Sequence, residues 1–214
     1  MAISTTYLCA FQTEKMKTTT VIILTFVAIL FLPSCKPLLI KLSGLKQPKP
    51  ESISTISAYL KKNNIDRYDS LYVCRDSAKL FELMTRIKDF PTTLLFDNQG
   101  LSVQQSDSGY CPGTVEEFMK TLVRSSPINY DYRVSEQEIF QWVTPVNGFS
   151  ETTEEYDFTL FVFWARYCGS LNHGVFRVME AIQKNPTINV KIFLINIDFI
   201  DSWGMTSKPT FVFN

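Results

Sequence analysis

The sequence predicts an α/β layered fold, and three observations carry that reading. Phe158 to Trp164 and Val190 to Ile197 are almost wholly apolar and rich in aromatic and β-branched residues, the pattern of strands buried on both faces. Between them, Ser170 to Lys184 places Leu171, Val175, Val178, Met179 and Ile182 on one helical stripe, and strand, helix, strand is the repeat of a sheet covered by helices. Of the 214 residues 45% are hydrophobic and 20% charged, enough apolar surface for a core and too much for a disordered or fibrous chain.

The chain opens with an address rather than a domain. Lys17 precedes the apolar run Val21 to Leu32, which ends in Pro33-Ser34-Cys35, a basic segment followed by a hydrophobic one. At about 1.5 Å per helical residue the run covers well under the roughly 30 Å of a bilayer core, so a cleaved signal is expected in place of a membrane span. Leu32-Pro33-Ser34-Cys35 resembles a bacterial lipobox, with Leu at −3 and a small residue at −1. Pro33 departs from the usual residue at −2. The resemblance implies that Cys35 is lipidated and anchors the protein to a membrane facing the periplasm, inner or outer. Met16-Lys17 suits the start of such a signal, which leaves Met1 to Lys15 upstream of it and Cys9 without a role.

The expected organisation is therefore 1–34 as extension and signal, 35–50 as a lipidated tether rich in Lys and Pro, 51–125 as an N-terminal α/β half and 126–214 as a C-terminal domain. In the first half, Ile53, Ile56, Tyr59 and Leu60 lie at helical spacing behind Ser52, and Ser70 to Arg75 is a β-rich run. Ser77 to Asp89 puts Leu80, Phe81, Leu83, Met84 and Ile87 on one face. Phe90 to Phe96 reads as a strand, with the turn Asp97-Asn98-Gln99-Gly100 leading to a return strand at Leu101 to Gln105. Pro112 to Val123 is expected as a helix with Thr114 as its cap and Glu117 at the capping-box position. Ser125-Ser126-Pro127-Ile128 interrupts the pattern and marks the boundary. Beyond it come a short helix over Ser135 to Val143, an acidic loop at Glu151 to Asp157, the elements named above and a last strand at Pro209 to Phe213.

Composition limits the chemistry. Lys plus Arg and Asp plus Glu number 21 each, so no basic excess points to nucleic acid as a partner. The one histidine, His173, rules out a multi-His zinc site, and neither metal nor cofactor is expected. After processing, the thiols are Cys74, Cys111 and Cys168, an odd number in a compartment where disulfides persist. Cys168 stands where a buried strand turns into a helix, and unpaired N–H groups at a helix start favour the thiolate.

Around that thiol the sequence resembles the thioredoxin family. Trp164-Ala165-Arg166-Tyr167-Cys168-Gly169-Ser170 is similar to the family's active-site loop, Ile195-Asn196-Ile197-Asp198 to its third strand, and Lys208-Pro209-Thr210 with its flanks to the segment at its cis-proline. The resemblance implies a thioredoxin-like three-layer fold, Cys168 as the attacking thiol, and a binding groove of Trp164, Tyr167, Gly169, Lys208, Pro209 and Thr210. Two family features are missing: Leu171 occupies the place of the resolving Cys, and Val162 that of the buried carboxylate. A dithiol enzyme is excluded, because a mixed disulfide at Cys168 would have no internal thiol to release it. Pro91-Thr92 and the helix after it resemble the back end of the same fold, so the halves form either a tandem of two degenerate units or one unit behind an unrelated half. Cys74 and Cys111 could pair with each other, or either could resolve Cys168. Two functions follow from the resemblance: monothiol disulfide exchange or capture at Cys168 with protein thiols, or a catalytically silent module holding an extended peptide or partner protein.

Overall fold

The computed structural model describes residues 44–106, 111–131, 133–147 and 155–204. The expected signal, Cys35 and the segment carrying Lys208, Pro209 and Thr210 lie outside these residues. In chain order the elements are α1 (Ile53–Lys62), β1 (Ser70–Cys74), α2 (Ser77–Arg86), β2 (Thr92–Asp97), β3 (Ser102–Val103), α3 (Pro112–Thr121), α4 (Glu136–Trp142), β4 (Val143–Pro145), β5 (Phe158–Trp164), α5 (Asn172–Gln183) and β6 (Val190–Asn196). A 3-10 segment, Arg166–Leu171, joins β5 to α5, and another, Asp201–Trp203, follows β6.

Local chemistry accounts for most helix boundaries. Ser52 accepts the Thr55 N–H while Thr55 Oγ1 accepts the Ser52 N–H, a reciprocal cap on α1, and Ser135 with Glu138 repeats it on α4. Each cap satisfies two otherwise orphaned donors. Replacing Ser52 by Ala is expected to lower the unfolding free energy by about 1 kcal/mol, which a urea titration reads directly. The expected cap at Thr114 is corrected: α3 starts at Pro112, with Cys111 and not Thr114 at the N-cap position. Proline suits that first position, since its missing N–H would have had no helical partner.

All six strands form one mixed sheet in the order β3-β2-β5-β6-β1-β4. β5 runs parallel to β6 and β6 parallel to β1, whereas β2 is antiparallel to β5, with Thr92 opposite Phe163 and Asp97 opposite Phe158. This corrects the division at Ser125: β1, β2 and β3 precede that point in sequence and β4, β5 and β6 follow it, yet the two sets interleave in one sheet. The described residues belong to one compact unit and not to two thioredoxin-like units in tandem.

Side-chain alternation along β5 splits the core into two layers, as the strand period of two requires. Phe158, Leu160, Val162 and Trp164 face a cluster with Ile56 and Leu60 of α1, Val115 and Met119 of α3 and Val175, Val178 and Met179 of α5. Phe161 and Phe163 face the opposite cluster with Leu80 and Leu83 of α2 and Ile139 and Trp142 of α4. Helices therefore cover both faces of the sheet. Phe161 anchors the second layer, its ring 5.3–5.4 Å from those of Phe96, Phe140 and Phe193, within the range of edge-to-face and tilted aromatic pairs.

Candidate functional site

The crevice outside the carboxyl ends of parallel strands is where open α/β sheets place ligands, and here it holds the residues singled out around Cys168. β5 ends at Trp164, and the chain turns through Ala165 into the 3-10 segment. Asn172 fixes this turn: its side chain, fully buried, donates to the Ala165 carbonyl at 2.7 Å and to the Tyr59 hydroxyl at 3.1 Å, and accepts the Ala165 N–H at 3.4 Å. Gly169 takes φ 56° and ψ −128°, a conformation that a side chain would strain. This reversal delays the regular helix until Asn172, so Leu171, placed on the apolar stripe by sequence, is exposed.

The thiol is not displayed to solvent. Cys168 is only 2% exposed, and burial, reinforced by the nearby Asp198 carboxylate, pushes its pKa up to about 12 despite a backbone hydrogen bond with Ala165. This corrects the expectation of an activated thiolate. A thiol at a chain turn is activated only where donors and solvent reach the sulfur, and here the apolar layer reaches it first. The aromatic groove is corrected too: Trp164 is fully buried, stacked on Tyr59 of α1 at 5.2 Å between ring centres, and Tyr167 is buried beside Cys168. Gly169 is half-buried. His173 is exposed on α5.

The end of the expected tether lies against the turn that carries the thiol. Lys46 N–H donates to the Tyr167 carbonyl at 2.9 Å, Glu51 N–H to the Phe199 carbonyl at 2.7 Å, and Asp201 N–H to the Glu51 carbonyl at 3.1 Å. Pro48 between them is buried. Glu51, 4% exposed, is held by Arg166 Nη1, by Thr55 Oγ1 at 2.7 Å and by Lys49 at 3.6 Å. A strap from Lys46 to Glu51 is thereby latched onto the residues that follow β5 and β6. Sequence placed all but its last residue in a tether without structure, because the backbone hydrogen bonds that hold the strap go to residues more than a hundred positions away.

Asp198 is the residue that motif reading passed over. Family spacing put the buried carboxylate at position 162, where Val162 stands; the structure supplies one from the end of β6 instead. Asp198 is 1% exposed and accepts the Arg166 N–H and the Asn196 side-chain amide, each at 2.8 Å. Burial dominates these bonds and raises its pKa from 3.8 to about 6, with Glu51 adding to the rise. Because the folded value lies above the unfolded one, the group's stabilising contribution is full below about pH 4 and is lost as pH rises through 6; the difference corresponds to at most about 3 kcal/mol. The unfolding free energy of wild type minus that of Asp198→Asn is therefore expected to grow as pH falls from 8 to 5, and a pH-independent difference would contradict the assignment.

The three described cysteines are free, so the proposed pairing of Cys74 with Cys111 is not formed. Cys74 is buried and its pKa is likewise pushed up to about 12, by burial and then by Asp76. Cys111 alone is exposed; hydrogen bonds from the Thr114 backbone and hydroxyl and the Gly113 backbone lower its pKa. Sequence could have ranked Cys111 higher from Cys111-Pro112-Gly113-Thr114, a helix start with its first turn free to point at the sulfur. The Phe90–Pro91 peptide is cis, and Pro91 leads directly into Thr92 opposite Phe163, next to the strand that carries the Cys168 loop. Of the two Pro-Thr pairs, this is the one within the described residues. Compared with family models, curated proteins and solved structures, the chain matches none.

Proposed function

We propose that the chain is a lipid-anchored, thioredoxin-like binding module of the bacterial envelope that performs no disulfide turnover. The observation that carries the silent reading is the burial of Cys168 in the apolar layer it shares with Cys74, Leu80 and Tyr167, which pushes its thiol pKa up to about 12. The thioredoxin-like part is supported by strand order: the β2–β3 hairpin, likened by sequence to the back end of that fold, stands in the same sheet as β5 and β6, likened to its front end, with β2 beside β5 and the following helix α3 packed on one face. Anchoring rests on Leu32-Pro33-Ser34-Cys35 and the Lys- and Pro-rich segment behind it. An extended peptide or partner protein is the class of partner this reading keeps.

Monothiol capture at Cys168 is the competing reading, favoured by the place of the thiol in the turn after β5, beside the carboxyl ends of the parallel strands, and opposed by Asp198, which raises the thiol pKa. The two part in a disulfide-exchange assay with a small aromatic disulfide and glutathione as reductant. Wild type and Cys168→Ser are expected to give the same rate, and a wild-type rate that the substitution abolishes would replace the silent reading with capture.

A further inference from the structure

A cavity of about 550 Å³ opens between the strap, α1 and the Arg166–Tyr167 turn. Its volume is in the range of small-molecule sites. Four cationic side chains line it, Lys46, Lys49, Lys62 and Arg166, against two carboxylates, Glu51 and Asp198. Both carboxylates are already engaged. Glu51 is held by Arg166, Lys49 and Thr55, and Asp198 by backbone and amide donors. Lys46 and Lys62 form no ion pair among the described residues, so the lining carries two uncompensated positive charges. Lys61, in the same last turn of α1, does not line the cavity. A helix C-terminus accounts for a basic residue in its last turn, but not for the convergence of Lys62 with Lys46 from the strap and Arg166 from the turn after β5.

Resting on the binding-module reading, we propose that this cavity binds a phosphate monoester, with Lys46 and Lys62 neutralising its two charges and the Arg166 guanidinium, which has donors beyond the one given to Glu51, completing the contact. A compact dianion matches the excess charge, and Lys and Arg together are the usual phosphate set. The monoester can come from a soluble metabolite or from a phosphatidic acid headgroup, and the test separates the two.

The mature chain carrying Cys35→Ser, so that no acyl chain partitions into vesicles, is titrated with glycerol 3-phosphate at constant ionic strength, chloride being the control, and in parallel is sedimented with phosphatidylcholine vesicles with and without phosphatidic acid. Lys46→Gln, Lys62→Gln and Lys61→Gln are compared, each checked for an unchanged unfolding midpoint. Loss of one charge-assisted hydrogen bond weakens binding about tenfold or more. Saturable binding of glycerol 3-phosphate that falls by this factor in Lys46→Gln and Lys62→Gln but not in Lys61→Gln supports a soluble ligand. The same pattern seen only with phosphatidic acid vesicles supports the headgroup. No binding in either arm, or equal weakening by Lys61→Gln, overturns the proposal. The disulfide-exchange result does not depend on these outcomes, so a silent thiol with no phosphate binding would refute this site alone.

Discussion

Alkylated with iodoacetamide in the native state near pH 7.5, the protein is expected to lose Cys111 quickly and to keep Cys168. Raising a thiol from its ordinary value of 9.0 to about 12 lowers the thiolate fraction about a thousandfold, and only the thiolate attacks. Burial of the sulfur adds to that factor, whereas Cys111 has both exposure and a lowered pKa. Cys74 is expected to share the protection of Cys168, since its environment is equally buried. Peptide mass spectrometry of a quenched time course checks this. Labelling of Cys168 within tenfold of Cys111 would mean that the apolar layer does not cover it in solution.

Arg166→Met is expected to be the most damaging single change at the latch. It leaves the Glu51 carboxylate buried with only Thr55 and the exposed Lys49 for company, and an uncompensated buried charge costs roughly 3–5 kcal/mol. The lower end of that range applies, because Lys49 remains. The double variant Glu51→Gln with Arg166→Met removes the orphaned charge as well and should recover most of the loss, so a double-mutant cycle in urea isolates the pair. In Arg166→Met the strap loses its ion pair but keeps its backbone bonds to Tyr167 and Phe199. Because Cys168 is reached when the fold opens, its labelling is expected to accelerate in step with the lost stability, and a destabilised variant with unchanged labelling would show that the thiol is reached by local opening instead.

The strands and helices were legible wherever burial was uniform along an element. β5 and β6 are buried on both faces and read as unbroken apolar runs, and Ser52 and the Ser135–Glu138 pair announce helix starts through chemistry local to a few residues. β4 was not legible: the expected helix ends on its first residue, Val143, and three residues with a terminal proline carry no period. The sheet order was not legible: pairing β1 with β6 and β2 with β5 joins residues far apart in sequence, and the Pro-Thr echo suggested a repeat where the fold uses each half once. The same separation hid the site. Cys168, Trp164 and Tyr167 are legible by motif, but their exposure depends on residues far away in sequence: Tyr59 stacks on Trp164, and Tyr72, Cys74 and Leu80 share the buried layer of Cys168 and Tyr167. Asp198 stood within a motif already noted as a strand, and its role depends on burial that no local pattern encodes.

The silent thiol is tested most directly by incubating the native mature protein with oxidised glutathione and mapping the adducts by peptide mass spectrometry under non-reducing conditions. A mixed disulfide forms only where a thiolate can reach the reagent. The structure predicts a glutathione adduct on Cys111 and none on Cys168 until denaturant is added; a Cys168 adduct on the folded protein would contradict it.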